Sequence, residues 1–190
     1  MKKTLLTAAL VAALFSAKAQ VFTETLGAVS ANTKVSDHDA AKGFANTGKL
    51  KFSGSAEVQM QGSSADKYST ATGSASGGAN LRFANVAETD FVISGINTSN
   101  VNNPVVGFGI LKGPNSSNGS DLVVEYSTDG KTWVGVKYPL LPTGEGTGLV
   151  WNYRETSPIP KAEKLTIRFR QTGNFVVFRV DDISIVSKGQ

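Results

Sequence analysis

The segment Phe178–Val186 (FRVDDISIV) constrains the fold more than any other stretch. Phe178 and Val180 are apolar at even positions, Ile183 and Ile185 at odd ones. Side chains of a strand alternate between faces, so a change of parity marks an inserted residue or a strand end. A bulge at Asp181–Asp182 keeps both apolar pairs on one buried face and sets two carboxylates at a kink. The segment therefore reads as the last strand of a β-sandwich.

The rest of the chain has the same grain. Leu81 and Phe83 alternate with Asn80 and Arg82, Phe91 and Ile93 with Val92 and Ser94, and Leu165, Ile167 and Phe169 with Thr166, Arg168 and Arg170. Leu122, Val124 and Tyr126 alternate up to Asp129-Gly130, a hairpin-turn signal from which Trp133–Tyr138 returns. Val105–Leu111 is almost continuously apolar, as in a central strand covered on both faces. Val21–Leu26, Lys49–Phe52 and Glu57–Met60 read as short strands, and Leu149, Trp151 and Tyr153 share one parity. Gly27–Gly48, Gln61–Gly78 and Lys112–Ser120 read as polar surface loops, the second pinned at Tyr68. No helical period stands out after residue 19. Roughly ten short strands separated by turn residues predict an all-β fold, a two-sheet antiparallel sandwich.

Met1–Ala19 has the form of a secretory signal: Lys2 and Lys3, an apolar run Leu5–Phe15, then Ala17-Lys18-Ala19 as a cleavage site. The run is too short to span a bilayer. The segment holds three of the 19 basic residues and none of the 15 acidic ones, leaving 16 against 15. The mature chain, residues 20–190, is thus near neutral and reads as one exported domain. That balance argues against nucleic acid and anionic lipid as partners. With no Cys, a disulfide framework, a thiol nucleophile and a lipidated cysteine are excluded.

Chemistry-bearing motifs are sparse. His38 is the single histidine and lies in a polar stretch, and no nucleophile elbow surrounds any Ser. Glu88, Asp90, Glu125, Asp129, Glu145 and Glu155 are scattered, so no paired carboxylates for glycoside hydrolysis stand out. Sugar rings stack on exposed aromatic side chains while a few polar groups fix their orientation. Trp151 and Tyr153, with Arg154 beside them and Tyr68 in its loop, are the candidates for such a site. Against this, a tryptophan in an alternating strand is by rule a core residue, and Trp133, directly after the hairpin turn, reads as packing. Arg168, Arg170 and Arg179 read as sharing one solvated sheet face.

A resemblance is carried by Phe22-Thr23-Glu24, by Tyr68 with Ser76-Gly77-Gly78-Ala79-Asn80, by Phe91–Thr98, and by Val123–Gly130 with Trp133. Leu165–Phe169 and Phe178–Ile183 continue it, so that it spans Val21–Ser187. In order and spacing these resemble the secreted jelly-roll domains common in Bacteroidetes, which are similar to galactose-binding-like and carbohydrate-binding modules. The resemblance implies a jelly-roll sandwich without catalysis. It also implies a structural Ca²⁺ between the first and last strands. Carried onto this sequence, its ligands are Glu24, Asp181 or Asp182, and Asp37 or Asp39. Such residues supply the hard oxygens that Ca²⁺ takes. The leading expectation is an exported module that binds a glycan or a cell-surface protein through its loops. The alternative is an assembly subunit of a surface complex that docks by a sheet face, and a small glycan hydrolase is third.

Overall fold

β12 (Phe178–Ser187) is the longest strand and the one on which the larger sheet is hung. The structure, a computed structural model, describes residues 20–60, 68–69 and 75–189. The expected leader Met1–Ala19 and most of the Gln61–Gly78 loop lie outside the described residues. Along one edge β12 pairs antiparallel with β7 (Pro104–Lys112). Its other edge is shared: residues 178–180 pair with β5 (Asn80–Phe83) and residues 183–186 with β1 (Gln20–Glu24).

The expected bulge is present. The register against β7 slips between Asp181 and Ser184, and Asp182 takes a left-handed backbone with φ of 47°. The bulge falls where β12 passes from β5 to β1. It lets Phe178, Val180, Ile183 and Ile185 all reach 0% exposure in the same core.

The larger sheet runs β10 (Asn152–Glu155), β7, β12, β5, β4 (Glu57–Gln59), β2 (Thr33–Lys34), with β1 beside β12. The smaller one runs β3 (Lys51–Ser53), β6 (Asp90–Ile96), β11 (Leu165–Gln171), β8 (Leu122–Ser127), β9 (Val134–Val136). Their inner faces meet in one apolar layer. Phe108 of β7 meets Phe169 of β11 edge to face, with ring centres 5.1 Å apart. Burying each such ring stabilises by about 1.5–3 kcal/mol, and the aromatic pairing adds about 1 kcal/mol. β7 is buried at every position, as its apolar run requires.

Three readings are corrected. The stretch Gly27–Gly48 is not wholly loop: it contains β2 and a short helix, α1 (Val35–Ala40). Val35 and His38, three residues apart, turn inward together, and His38 Nε2 pairs with the Leu26 carbonyl at 3.0 Å. The imidazole lies on Gly43, where any Cβ would come within 2.1 Å of the ring. Leu149 is outside any strand, 72% exposed with φ of 57°, and β10 begins only at Asn152. Lys112 belongs to β7 rather than to the loop after it.

Candidate functional site

The outer face of the larger sheet gathers most of the residues singled out from the sequence. Gly107 and Gly109 of β7 leave a slot there. A Cβ on Gly109 would come within 2.6 Å of the Tyr68 ring, and one on Gly107 within 2.9 Å of Tyr153. Tyr68, Trp151 and Leu111 form a second apolar cluster, with Tyr153 packed against it. Tyr68 and Trp151 are each only 4% exposed. The Tyr68 hydroxyl donates to the Asp182 carboxylate, which also accepts from Ser76 N at 3.0 Å. Burial first, and then the bond to Asp182, push the Tyr68 phenol up, so it stays protonated. Burial likewise raises Tyr153, whose hydroxyl lies 3.1 Å from Ser184 Oγ. These aromatics cover the slot as packing, and no stacking surface is left open on Trp151. Arg154 does not join them. It projects from the other side of β10, where its Nε donates to the Pro139 carbonyl at 2.8 Å.

The five carboxylates of the expected calcium site do not converge. Glu24 is fully buried, and both its oxygens are taken by N–H donors: Leu26 N and Ala45 N at 2.9 Å, Asn46 N and Asn46 Nδ2 at 3.0 Å. Four N–H dipoles aimed at one carboxylate balance its charge and leave no lone pair for a cation. Glu24 shares the inward parity of Phe22, whereas Asp181 stands opposite Gly109 on the outer face and accepts from Asp182 N at 2.8 Å. Asp37 is exposed on α1, and Asp39 accepts from Thr47 Oγ1 at 3.1 Å. Among the described residues no three acidic or histidine groups face a common point. The residues therefore do not fit the ion that the resemblance implied.

A cation is present in another form. Lys112 is 0% exposed, and its ammonium lies among four oxygens: Asn115 O (3.1 Å), Ser117 O (2.5 Å), Pro142 O (2.6 Å) and Thr147 Oγ1 (3.1 Å). It fastens the loop after β7 to the long connection between β9 and β10. Burial pushes this ammonium down from the usual lysine range.

Of the two tryptophans Trp133 is the more accessible, although its place directly after the turn reads as packing. It is partly buried on the outer face of the smaller sheet, with the Arg168 guanidinium stacked 4.0 Å from its ring centre. Arg168 is fixed in turn: its Nε donates to Glu125 Oε2 at 2.7 Å. Arg170 grips the same carboxylate with two bonds, Nε to Oε2 at 3.1 Å and Nη2 to Oε1 at 2.9 Å, and reaches Glu88 at 2.9 Å. Burial pushes Glu125 up, but the bonds from Arg170 and Arg168 and their charges outweigh it and hold the carboxyl below its ordinary range. The Glu125 bonds hold the Arg170 guanidinium above its own. Gly135 stands opposite Glu125 with nothing near its missing Cβ, so the surface beside the ring is clear. The hairpin turn is set by Asp129, whose carboxylate caps Thr132 N at 2.7 Å and Lys131 N at 2.8 Å. Arg179 is not part of this face, since it lies on β12 in the other sheet.

Comparison with known proteins bears on the fold. No protein-family model matches the sequence, and no curated protein matches it. Among solved structures, the chain is similar to the K2 cleaved adhesin domain of Lys-gingipain, with TM-score 0.51 and 14% identity over 86% of this chain and 98% of that one. It is also similar to the K1 cleaved adhesin domain of Lys-gingipain from Porphyromonas gingivalis W83, with TM-score 0.47 and 9% identity over 75% and 92%. A further likeness is to TmCBM61 in complex with β-1,4-galactotriose, with TM-score 0.43 and 16% identity over 74% and 90%. At such identities the fold is what is shared: the chain is a two-sheet antiparallel jelly-roll β-sandwich, as the residues carrying the resemblance imply.

Proposed function

We propose that this chain is an exported, non-catalytic module that binds glycans, with Trp133 as its stacking platform. The observation that carries the reading is the Trp133–Arg168–Glu125–Arg170 constellation. The partly exposed indole is held in one orientation by a guanidinium that is itself clamped by a carboxylate. That is the preorganisation a ring-stacking site needs, because little freedom is lost when a sugar arrives. Arg168 and Arg170 supply donors beside the ring, and Glu125 and Glu88 supply acceptors, which together suit a polyhydroxylated ligand. The Lys2-Lys3 start followed by an apolar run supports export. The test is a glycan array on the mature protein beside its Trp133→Ala variant, with retained folding checked by thermal melting. Binding by the parent that the variant loses supports the reading. Equal binding by both, or none by either, removes it.

A further inference from the structure

The end of the sandwich where β9, β10 and β12 finish and β7 begins is hollowed. One hollow of about 410 Å³ is lined by Lys137, Glu155 and Lys188 among others. A second, about 500 Å³, is lined by Asn102, Lys161 and Lys188. Lys188 is a wall of both, so they adjoin. The segments that form them are tied by backbone bonds: Ser157 N to Lys137 O at 2.7 Å, Ile159 N to Pro104 O at 2.8 Å and Lys188 N to Asn103 O at 3.1 Å. Three ammonium groups from separate parts of the chain thus line one cleft, while among the described residues Glu155 is the one carboxylate side chain lining it. Glu155 stands 3.6 Å from Lys188 Nζ, and Lys161 Nζ donates to Asn102 Oδ1 at 3.0 Å. Lys137 has no side-chain partner among the described residues. The mature chain carries almost equal numbers of acids and bases, so this excess is local rather than a sample of a basic surface.

The cleft and the platform are joined by one short strand. Trp133 and Lys137 flank the three-residue strand β9 (Val134–Val136), and in sequence they share the parity of Gly135. Four residues of chain separate them, a reach of at most about 13 Å.

We propose that the cleft holds the carboxylate or sulfate groups of an acidic polysaccharide whose sugar ring rests on Trp133. This rests on the glycan-binding reading above and names the class of glycan. Lysine ammonium groups meet oxyanions as compact point charges and place little demand on geometry, so either group fits.

The test is calorimetric titration of the mature protein with polygalacturonate, with dextran sulfate and with a neutral galactan. It is repeated on the Trp133→Ala variant and on the triple variant Lys137→Gln, Lys161→Gln, Lys188→Gln, whose changed side chains are all exposed and leave the core intact. The parent should prefer a charged polymer, and the triple variant should lose on the order of tenfold in affinity for it, while binding of the neutral polymer is unchanged. Raising the salt to about 0.5 M should weaken the parent and leave the triple variant little affected. A response to polygalacturonate alone identifies carboxylate as the group, and one to dextran sulfate alone identifies sulfate. Equal affinity of parent and triple variant for the charged polymers overturns the inference while leaving the glycan reading intact. Charged-polymer binding that survives Trp133→Ala but fails in the triple variant keeps the cleft and removes the platform. No binding to any of the three polymers overturns the inference.

Discussion

Replacing Lys112 by Met isolates what the buried ammonium does. Methionine keeps most of the aliphatic stem and its packing, and removes the donors. Four oxygens then lose a charged partner: the carbonyls of Asn115, Ser117 and Pro142 and the Thr147 hydroxyl. A hydrogen bond to a charged group contributes about 1.5–3 kcal/mol, but bonds that share one ammonium do not add. Asn115 and Pro142 lie in exposed loops and can turn toward water, which limits the loss. Against the loss stands the desolvation of the ammonium, which the substitution relieves. The four short contacts should outweigh that relief, so we expect Lys112→Met to destabilise by about 2–4 kcal/mol. In urea, with a slope of about 2 kcal/mol/M, the midpoint should fall by about 1–2 M. An unchanged or higher midpoint would refute the reasoning. It would mean that the cost of burying the charge equals or exceeds what the cage returns, as happens when buried ion pairs are replaced by apolar residues.

Other outcomes follow from the same geometry. Excess chelator should leave the melting temperature unchanged, since the Glu24 carboxylate is already saturated by N–H donors; a fall of several degrees would restore the metal that the resemblance implied. Glu125→Gln should destabilise by about 1–3 kcal/mol at neutral pH. Because the Glu125 carboxyl is held below its unfolded value of about 4.3, the clamp's contribution is complete above that pH and is lost as pH falls through the folded value. The difference between parent and Glu125→Gln in urea should therefore shrink in acid, and a constant gap would contradict the clamp. Gly109→Ala should cost about 1–3 kcal/mol, because the new methyl enters the Tyr68 ring and forces it off the slot. A Tyr68→Ala background should relieve most of that added cost, a coupling that a double-mutant cycle reads directly.

Much of the architecture is written in parity. The bulge at Asp181–Asp182 follows from Val180 and Ile183 being apolar at opposite parities, and the doubly covered β7 from its unbroken apolar run. Parity also carried signals that other cues masked. Lys112 continues the inward series Val106, Phe108, Ile110, so an inward lysine was legible, yet its charge and the glycines after it suggest a loop. Trp133 shares parity with Gly135 and Lys137, which places it with the solvent side of β9, although its size and its place after a turn argue for the core. Trp151 and Tyr153 do share a face, but whether that face is open depends on Tyr68, some eighty residues away in sequence, and no local pattern reports such a contact. The same holds for the carboxylates. Glu24 looks like a free hard ligand until the backbone of Ala45 and Asn46 is seen closing over it. The helix α1 is too short for a 3.6-residue period to show, and its two inward residues, Val35 and His38, are all the amphipathic pattern it has.

Iodide quenching of tryptophan emission tests the central claim, an indole presented to solvent for a sugar, most directly. The chain has two tryptophans, of which Trp151 is 4% exposed and Trp133 only partly buried. One accessible and one protected population are expected in residues 20–190, with loss of the accessible one in Trp133→Phe and its protection when a bound glycan is present. Emission that iodide does not quench, or an accessible population that survives Trp133→Phe, would contradict it.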